Sequence, residues 1–414
     1  MPSSSRFLKM TGLAAVLLSG CSASSADYAG VAVPMAAQAA FSLSELEGPR
    51  AVAIADLNND DQNEVIVTQS YAGKLTILWG SATQPPTQRD YTIGGAPYAL
   101  IAAPLASSHG PGFADLVLTD NEAGTVRVFI NSGKSAQLDP HPLTLPFVER
   151  PSGPIAVGGN PVALVSGNLN GDALPDVAVL SARDGAVRVL LNQQAKPQDV
   201  FAAAPPSYPV GEFAYSLTLA SPTAGTGAQD VYVTSGLSDQ LYVLRNDQSG
   251  GLTPDPAPAV AVPRGPVFVT TLPGSDSHSE QLMVASAAAD KVSVLSRPSK
   301  LTPALELQQS VDASSKPLAL ALGRFNAAGQ PGFAVVLNGS DQLDLFVMGK
   351  SGKFASALAA KTETKASPIA VAAGRVLPHC APITPAGCSE RFDDVAVLSA
   401  QDGTLQIFTT ETAQ

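Results

Sequence analysis

Seven copies of one strand-forming unit run through the 414-residue chain in a common register. Aligned on the residue that opens the second strand, the copies place Glu64, Asp115, Asp176, Asp230, Gln281, Gly332 and Asp394 in one column. Nine residues further on stands a turn residue each time: Gly73, Gly124, Gly185, Asp239, Asp290, Asp341 and Gly403. Two beyond that comes an apolar residue: Leu75, Val126, Val187, Leu241, Val292, Leu343 and Leu405. Upstream, Pro49, Pro97, Pro161, Pro266, Pro317 and Pro368 open a first strand, with Ala214 in their place in the fourth copy. A period held this long overrides the two or three separate domains that length alone suggests.

Within the first copy, strands are expected at Ala51 to Ala55, Glu64 to Gln69 and Lys74 to Trp79, with a looser fourth from Tyr91 to Ile93. Alternation such as Arg127-Val128-Phe129 fits a half-buried strand, and the run Val177 to Leu180 a strand buried on both faces. Four antiparallel strands per repeat describe a propeller blade. The predicted fold is therefore all-β: a seven-bladed β-propeller of four-stranded antiparallel blades. The last copy ends at Phe408 without room for a fourth strand, and Phe41 to Leu46 is free to supply it. That exchange would close the ring by joining the two ends of the chain.

The most chemically distinctive stretch is Asp56-Leu57-Asn58-Asn59-Asp60-Asp61-Gln62-Asn63-Glu64. Oxygen-bearing side chains at its first, third, fifth and ninth places let a tight loop wrap one hard cation. The spacing begins like an EF-hand, but the carboxylate at the ninth place and the β-branched strand that follows exclude one. The alternative is an acidic turn whose side chains cap their own backbone.

The units resemble FG-GAP (VCBS-type) repeats, the blades of integrin α-subunit propellers and of many bacterial surface proteins. The copies from Pro49 to Val67 and from Pro161 to Val179 carry that pattern best. The resemblance implies calcium in the acidic loop. Its ligands would be the side chains of Asp56, Asn58, Asp60 and Glu64 and the carbonyl of Gln62. A weaker second site would use Asn168, Asn170, Asp172 and Asp176 with the carbonyl of Leu174, its first aspartate having become asparagine. Asp61 and Ala173 stand where the family has glycine. The all-oxygen sets argue against zinc or copper. In the other five copies the ligand set is lost. The resemblance also implies adhesion, ligand binding or assembly rather than catalysis.

Arg6 and Lys9 precede a short apolar stretch, Met10 to Leu18, which reads as a secretory signal over residues 1–20. Leu18-Ser19-Gly20-Cys21 resembles the lipobox of bacterial lipoproteins, which implies that Cys21 is lipidated. Residues 21–40 then form a tether, and residues 41–414 the propeller. Ser22 after the lipidated cysteine favours the outer membrane in that family's pattern. Cys380 and Cys388, in the lengthened loop of the last copy, are expected to form a disulfide in an exported chain. So short a closed loop would contribute about 2–3 kcal/mol.

A net charge of −11 disfavours nucleic acid as a partner, because phosphate binding needs clustered Lys and Arg. Of the histidines, His109, His278 and His379 fall in equivalent loops of separate copies, where they read as solvated, and His141 stands apart. No zinc-protease, nucleophile-elbow or phosphate-loop motif is present. The expected function is thus binding or scaffolding of a protein or glycan by a monomer whose only membrane contact is its lipid anchor. A polysaccharide-active surface enzyme and a structural subunit of an envelope complex are the alternatives.

Overall fold

The computed structural model describes residues 41–80, 86–106, 113–133, 141–193, 199–202, 205–211, 213–221, 227–256, 259–272, 281–296, 305–325, 330–355, 359–377 and 392–409. The signal, the tether, Cys21, Cys380, Cys388, His109, His278 and His379 lie outside the described residues. Among the described residues there are seven antiparallel sheets and no helix, and thus no helix long and apolar enough to cross a membrane.

Each sheet is a blade. The inner strands are Pro49–Ala55, Pro97–Ala103, Pro161–Gly167, Ala214–Ala220, Pro266–Leu272, Pro317–Arg324 and Pro368–Gly374. Six begin on proline, which has no N–H to donate and is tolerated at the first residue of an edge strand. Each inner strand touches the next one round, and Pro368–Gly374 touches Pro49–Ala55, so the array is a closed ring. Second strands start at the aligned column, except that blade 6 begins one residue early, at Pro331.

The outer strands depart most from expectation. In blade 1 the outer strand is Thr87–Thr92, reaching further back than its apolar end, because one of its edges and much of its surface face water and its residues are largely polar. In blades 2 and 4 the outer strand is split in two, as Phe147–Glu149 with Ile155–Ala156 and Leu252–Pro254 with Val260–Ala261. In blade 7 the fourth strand is Phe41–Leu43, which pairs with Thr404–Phe408 in the register Phe41 to Ile407 and Leu43 to Leu405. The ring closes as the sequence requires.

The apolar core is not one body but seven clusters, one at every blade-to-blade interface. Alternation along a single strand feeds two of them. Val177 and Val179 pack toward blade 2, whereas Ala178 and Leu180 pack toward blade 4. Val65 and Val67 pack against blade 7 and Ile66 against blade 2. This two-sided burial is why the second strands of blades 1 to 3 have apolar centres flanked by buried polar residues and no exposed residue.

The turn column has one conformation. All seven residues sit in the left-handed region, with φ between +52° and +66°. Glycine reaches it without cost and aspartate better than most residues. Where the residue is aspartate, its Oδ1 also accepts from the backbone of the next blade's linker: Gly265 on Asp239, Lys316 on Asp290 and Ser367 on Asp341, at 2.7–2.8 Å.

Candidate functional site

The ring has two faces. One carries the loops between inner and second strands, and the acidic loop of blade 1 belongs to it. The other carries the turns between second and third strands.

On the first face, Asp56 caps its own loop. Its Oδ1 accepts from Asn58 N at 3.1 Å and Asn59 N at 2.6 Å, and its Oδ2 from Asp61 N at 3.1 Å. Asp60 Oδ1 accepts from Gln62 N at 2.9 Å. Asn59 and Asp61 take left-handed φ values of +58° and +64°, so Asp61 does adopt the backbone for which the related repeats use glycine. Glu64 is fully buried, and its carboxylate accepts from Leu57 N at 2.7 Å and Gly80 N at 3.3 Å. Burial, and then the charges of Asp60 and Asp56, push it up to about 9 against those two donors. Burial also raises Asp60, aided by Asp56 and Asp61 and opposed by Gln62 N–H and the Asn58 side chain. Asn58 is only 3% exposed, yet neither end of its amide meets hydrogen-bond geometry with any group.

The blade 3 loop is different. Asn168 Nδ2 donates to the Asp172 carbonyl and its Oδ1 accepts from Gly171 N, while Asn170 Nδ2 donates to Asp172 Oδ2. Asp172 Oδ1 accepts from Leu174 N, the residue whose carbonyl was the expected fifth ligand. Asp176 is buried and holds Leu169 N at 2.7 Å and Asn192 N at 2.8 Å. Two amide groups thus do the bridging a cation would do. Among the described residues no three His, Cys, Asp or Glu side chains are gathered tightly enough to hold a metal as they stand.

Glu64 and Asp176 share a role with Asp115 and Asp394 of their column. Asp115 Oδ2 accepts from Leu105 N and Ala106 N, and Asp394 Oδ2 from Val376 N and Leu377 N. In blades 1, 2, 3 and 7 the column residue therefore holds the first loop to its blade whether or not an ion is near. The sequence reading missed the partner column sixteen residues later. Asn131, Asn192 and Asn246 each donate from Nδ2 across the interface, to Leu57 O, Leu105 O and Leu169 O of the preceding blade, all at 2.8 Å. The recurrence of asparagine at that offset in three successive copies was the available signal.

On the other face every inner strand carries a β-bulge just after its first residue. A bulge leaves a residue unpaired and re-aims its side chain. The residues so placed are Arg50, Tyr98, Val162, Tyr215, Val267, Leu318 and Ile369, a ring around the channel mouth. The ring is lopsided. Blades 1, 2 and 4 supply an arginine and two tyrosines, and the others supply aliphatic side chains.

The Arg50 guanidinium lies 5.6 Å from the centre of the Tyr71 ring and 5.4 Å from that of Tyr98, and its Nη2 donates to Tyr71 Oη at 3.3 Å. Its Nε is buried without a partner. Tyr98 also borders a cavity of about 590 Å³, with Asn160, Arg183, Phe213 and Tyr215 on its other sides. Neither Arg50 nor Arg183 pairs with a carboxylate among the described residues. Phe213 and Tyr215 are each 49% exposed, and Tyr71 77%.

Two glycines hold these rings. A Cβ on Gly48 would lie 2.5 Å from the Tyr71 ring, and one on Gly236 would lie 2.6 Å from the Tyr215 ring. Each ring therefore rests on backbone that only glycine leaves bare.

No protein-family model matches the chain, and no curated protein does. Solved structures do. BBS1N in complex with ARL6DN is 14% identical, with a TM-score of 0.58, over 91% of this chain and 98% of that one. Virginiamycin B lyase from Staphylococcus aureus is 11% identical, with a TM-score of 0.54, over 90% and 99%. The periplasmic gluconolactonase PpgL of Pseudomonas aeruginosa is 14% identical, with a TM-score of 0.52, over 78% and 86%. At such identities the likeness establishes the β-propeller fold and leaves the chemistry to this chain's own residues.

Proposed function

We propose that this chain is an exported, lipid-anchored propeller that acts as a binding or scaffolding module, taking a protein or glycan partner on the face that carries the channel-mouth aromatics. The supporting observation is the lopsided bulge ring: Arg50, Tyr98 and Tyr215 occupy a position that four other blades fill with aliphatic residues. A purely structural ring has no use for a half-exposed Tyr215 held on glycine beside Tyr98. Partners would be kept by aromatic contact and by the guanidinium groups of Arg50 and Arg183, which pair with no carboxylate among the described residues.

The test is retention of soluble glycans and solubilised envelope proteins on the immobilised chain, compared with a Tyr98→Ala/Tyr215→Ala double variant. Retention lost with the double variant supports the reading. Retention unchanged by it, or turnover of a retained glycan, overturns it.

Calcium is proposed at the blade 1 loop. The residues fit a cation in part: Asn58 offers a buried, unpartnered amide oxygen beside Asp60, and the raised carboxylates would be relieved by positive charge. Asp56, Asp60 and Glu64, the Asn58 oxygen and the Gln62 carbonyl would hold the ion after a small inward closure. Its contribution would be to brace the loop. The blade 3 loop, closed by its own asparagines, is the weaker candidate.

A further inference from the structure

We infer that the ligand of the channel mouth is an acidic oligosaccharide, a chain of sugar rings bearing carboxylates; this rests on the binding role proposed above.

The argument starts from charge. In a chain with net charge −11, carboxylates outnumber cations, so a guanidinium has ample opportunity to pair. Arg127, Arg150, Arg188 and Arg245 do pair with aspartate or glutamate, whereas Arg89, Arg264, Arg324 and Arg375 do not among the described residues, so it is position and orientation that mark an arginine out. Arg50 and Arg183 stand on the mouth, pair with no carboxylate among the described residues, and Arg50 is held in place by two tyrosine faces. A planar guanidinium kept free and oriented is suited to a carboxylate that arrives with the ligand.

The rings supply the second half. Tyr98, Phe213 and Tyr215 line the cavity with aromatic rings suited to the C–H face of a sugar, and the hydroxyls of the two tyrosines can meet sugar hydroxyls. A cavity of about 590 Å³ is within the ordinary range for a small ligand. An extended peptide is disfavoured because the bulge in every inner strand interrupts the row of backbone groups it would pair with at this end. Nucleic acid would need clustered cations following its closely spaced phosphates, and two guanidinium groups do not make such a row.

The experiment is calorimetric titration of the full propeller with a galacturonate trimer, a neutral galactose trimer and an aromatic peptide with a free C-terminal carboxylate. The acidic trimer should bind, more weakly as salt rises, and lose about ten-fold in affinity in Arg50→Gln. Arg183→Gln gives the same readout from a separate site should Arg50→Gln fail to fold. Equal affinity for the neutral trimer, preference for the peptide, no binding of any probe, or indifference to both arginine variants would overturn the inference. If the neutral trimer or the peptide binds and is lost in Tyr98→Ala, only the ligand class is wrong. If any bound probe survives Tyr98→Ala and Tyr215→Ala together, the face itself is wrong.

Discussion

Leu46 donates its backbone N–H to the carbonyl of Gly403 at 2.9 Å. The same bond joins Ile93 to Gly73, Val157 to Gly124, Val210 to Gly185, Val262 to Asp239, Ala313 to Asp290 and Thr364 to Asp341. In six blades it ties the end of the outer strand to the turn of the same copy. In the seventh it ties residues from opposite ends of the chain, so the N-terminal strand occupies the outer position of the last blade completely. The ring is held shut by an ordinary blade contact made between distant sequence.

Gly403→Ala is therefore expected to loosen the closure. The glycine has φ +56°, and an added Cβ would lie 2.4 Å from the Leu46 carbonyl, which is backbone. Left-handed strain and the clash together should cost about 2–4 kcal/mol. Urea unfolding measures this. A loss no larger than that of an exposed control such as Gln88→Ala would contradict the role given to the contact.

The asparagine column predicts a second loss. Asn192 is 1% exposed and bridges Leu105 O and Pro175 O. Asn192→Ala leaves both carbonyls buried without that donor and should cost about 2–4 kcal/mol. Equilibrium denaturation would show it as a lower midpoint. An unchanged midpoint would mean that the interface is carried by its apolar cluster alone.

Calcium should raise the melting temperature if the blade 1 loop holds it. With a dissociation constant near 10⁻⁴ M, 10 mM calcium would add about 2.7 kcal/mol. The increment should vanish in Asp60→Ala and persist in Asp172→Ala. A scan with calcium and with chelator that gives one melting temperature for the parent chain would dispose of the ion.

Asp344 sets a pH dependence. It is fully buried in the third strand of blade 6, with Oδ1 unpartnered. Burial raises its pKa above 3.8, against the pull of Lys361 and a long contact from Ser314. The folded chain thus holds this proton more firmly than the unfolded chain. Its stabilising contribution is whole below the ordinary pKa of 3.8 and is lost as pH rises through the raised value. Asp344→Asn should flatten that decline, as read from unfolding free energy between pH 4 and 8. Parallel profiles for the two proteins would rule it out.

The repeat register, the strand positions and the closing of the ring were all legible in the sequence. The register and the first three strands of each copy depend on relations within about twenty residues: alternation of side chains, a turn that needs a left-handed residue, a proline at a strand start. The closing of the ring followed from counting strands over the whole chain, which left the last copy one short and Phe41 to Leu46 spare. The outer strands were less legible, because residues such as Thr87 to Asp90 form a strand without burying much and leave little apolar pattern. What only the tertiary structure decided is the meeting of copies. Asn192 reaches Leu105, Arg50 sits between Tyr71 and Tyr98, and Tyr98, Arg183 and Tyr215 share one cavity, although no spacing in the chain relates them. Curling seven sheets into a circle brings equivalent positions of separate copies to one mouth, and the character of that mouth depends on which blades differ, a comparison made in space rather than along the chain.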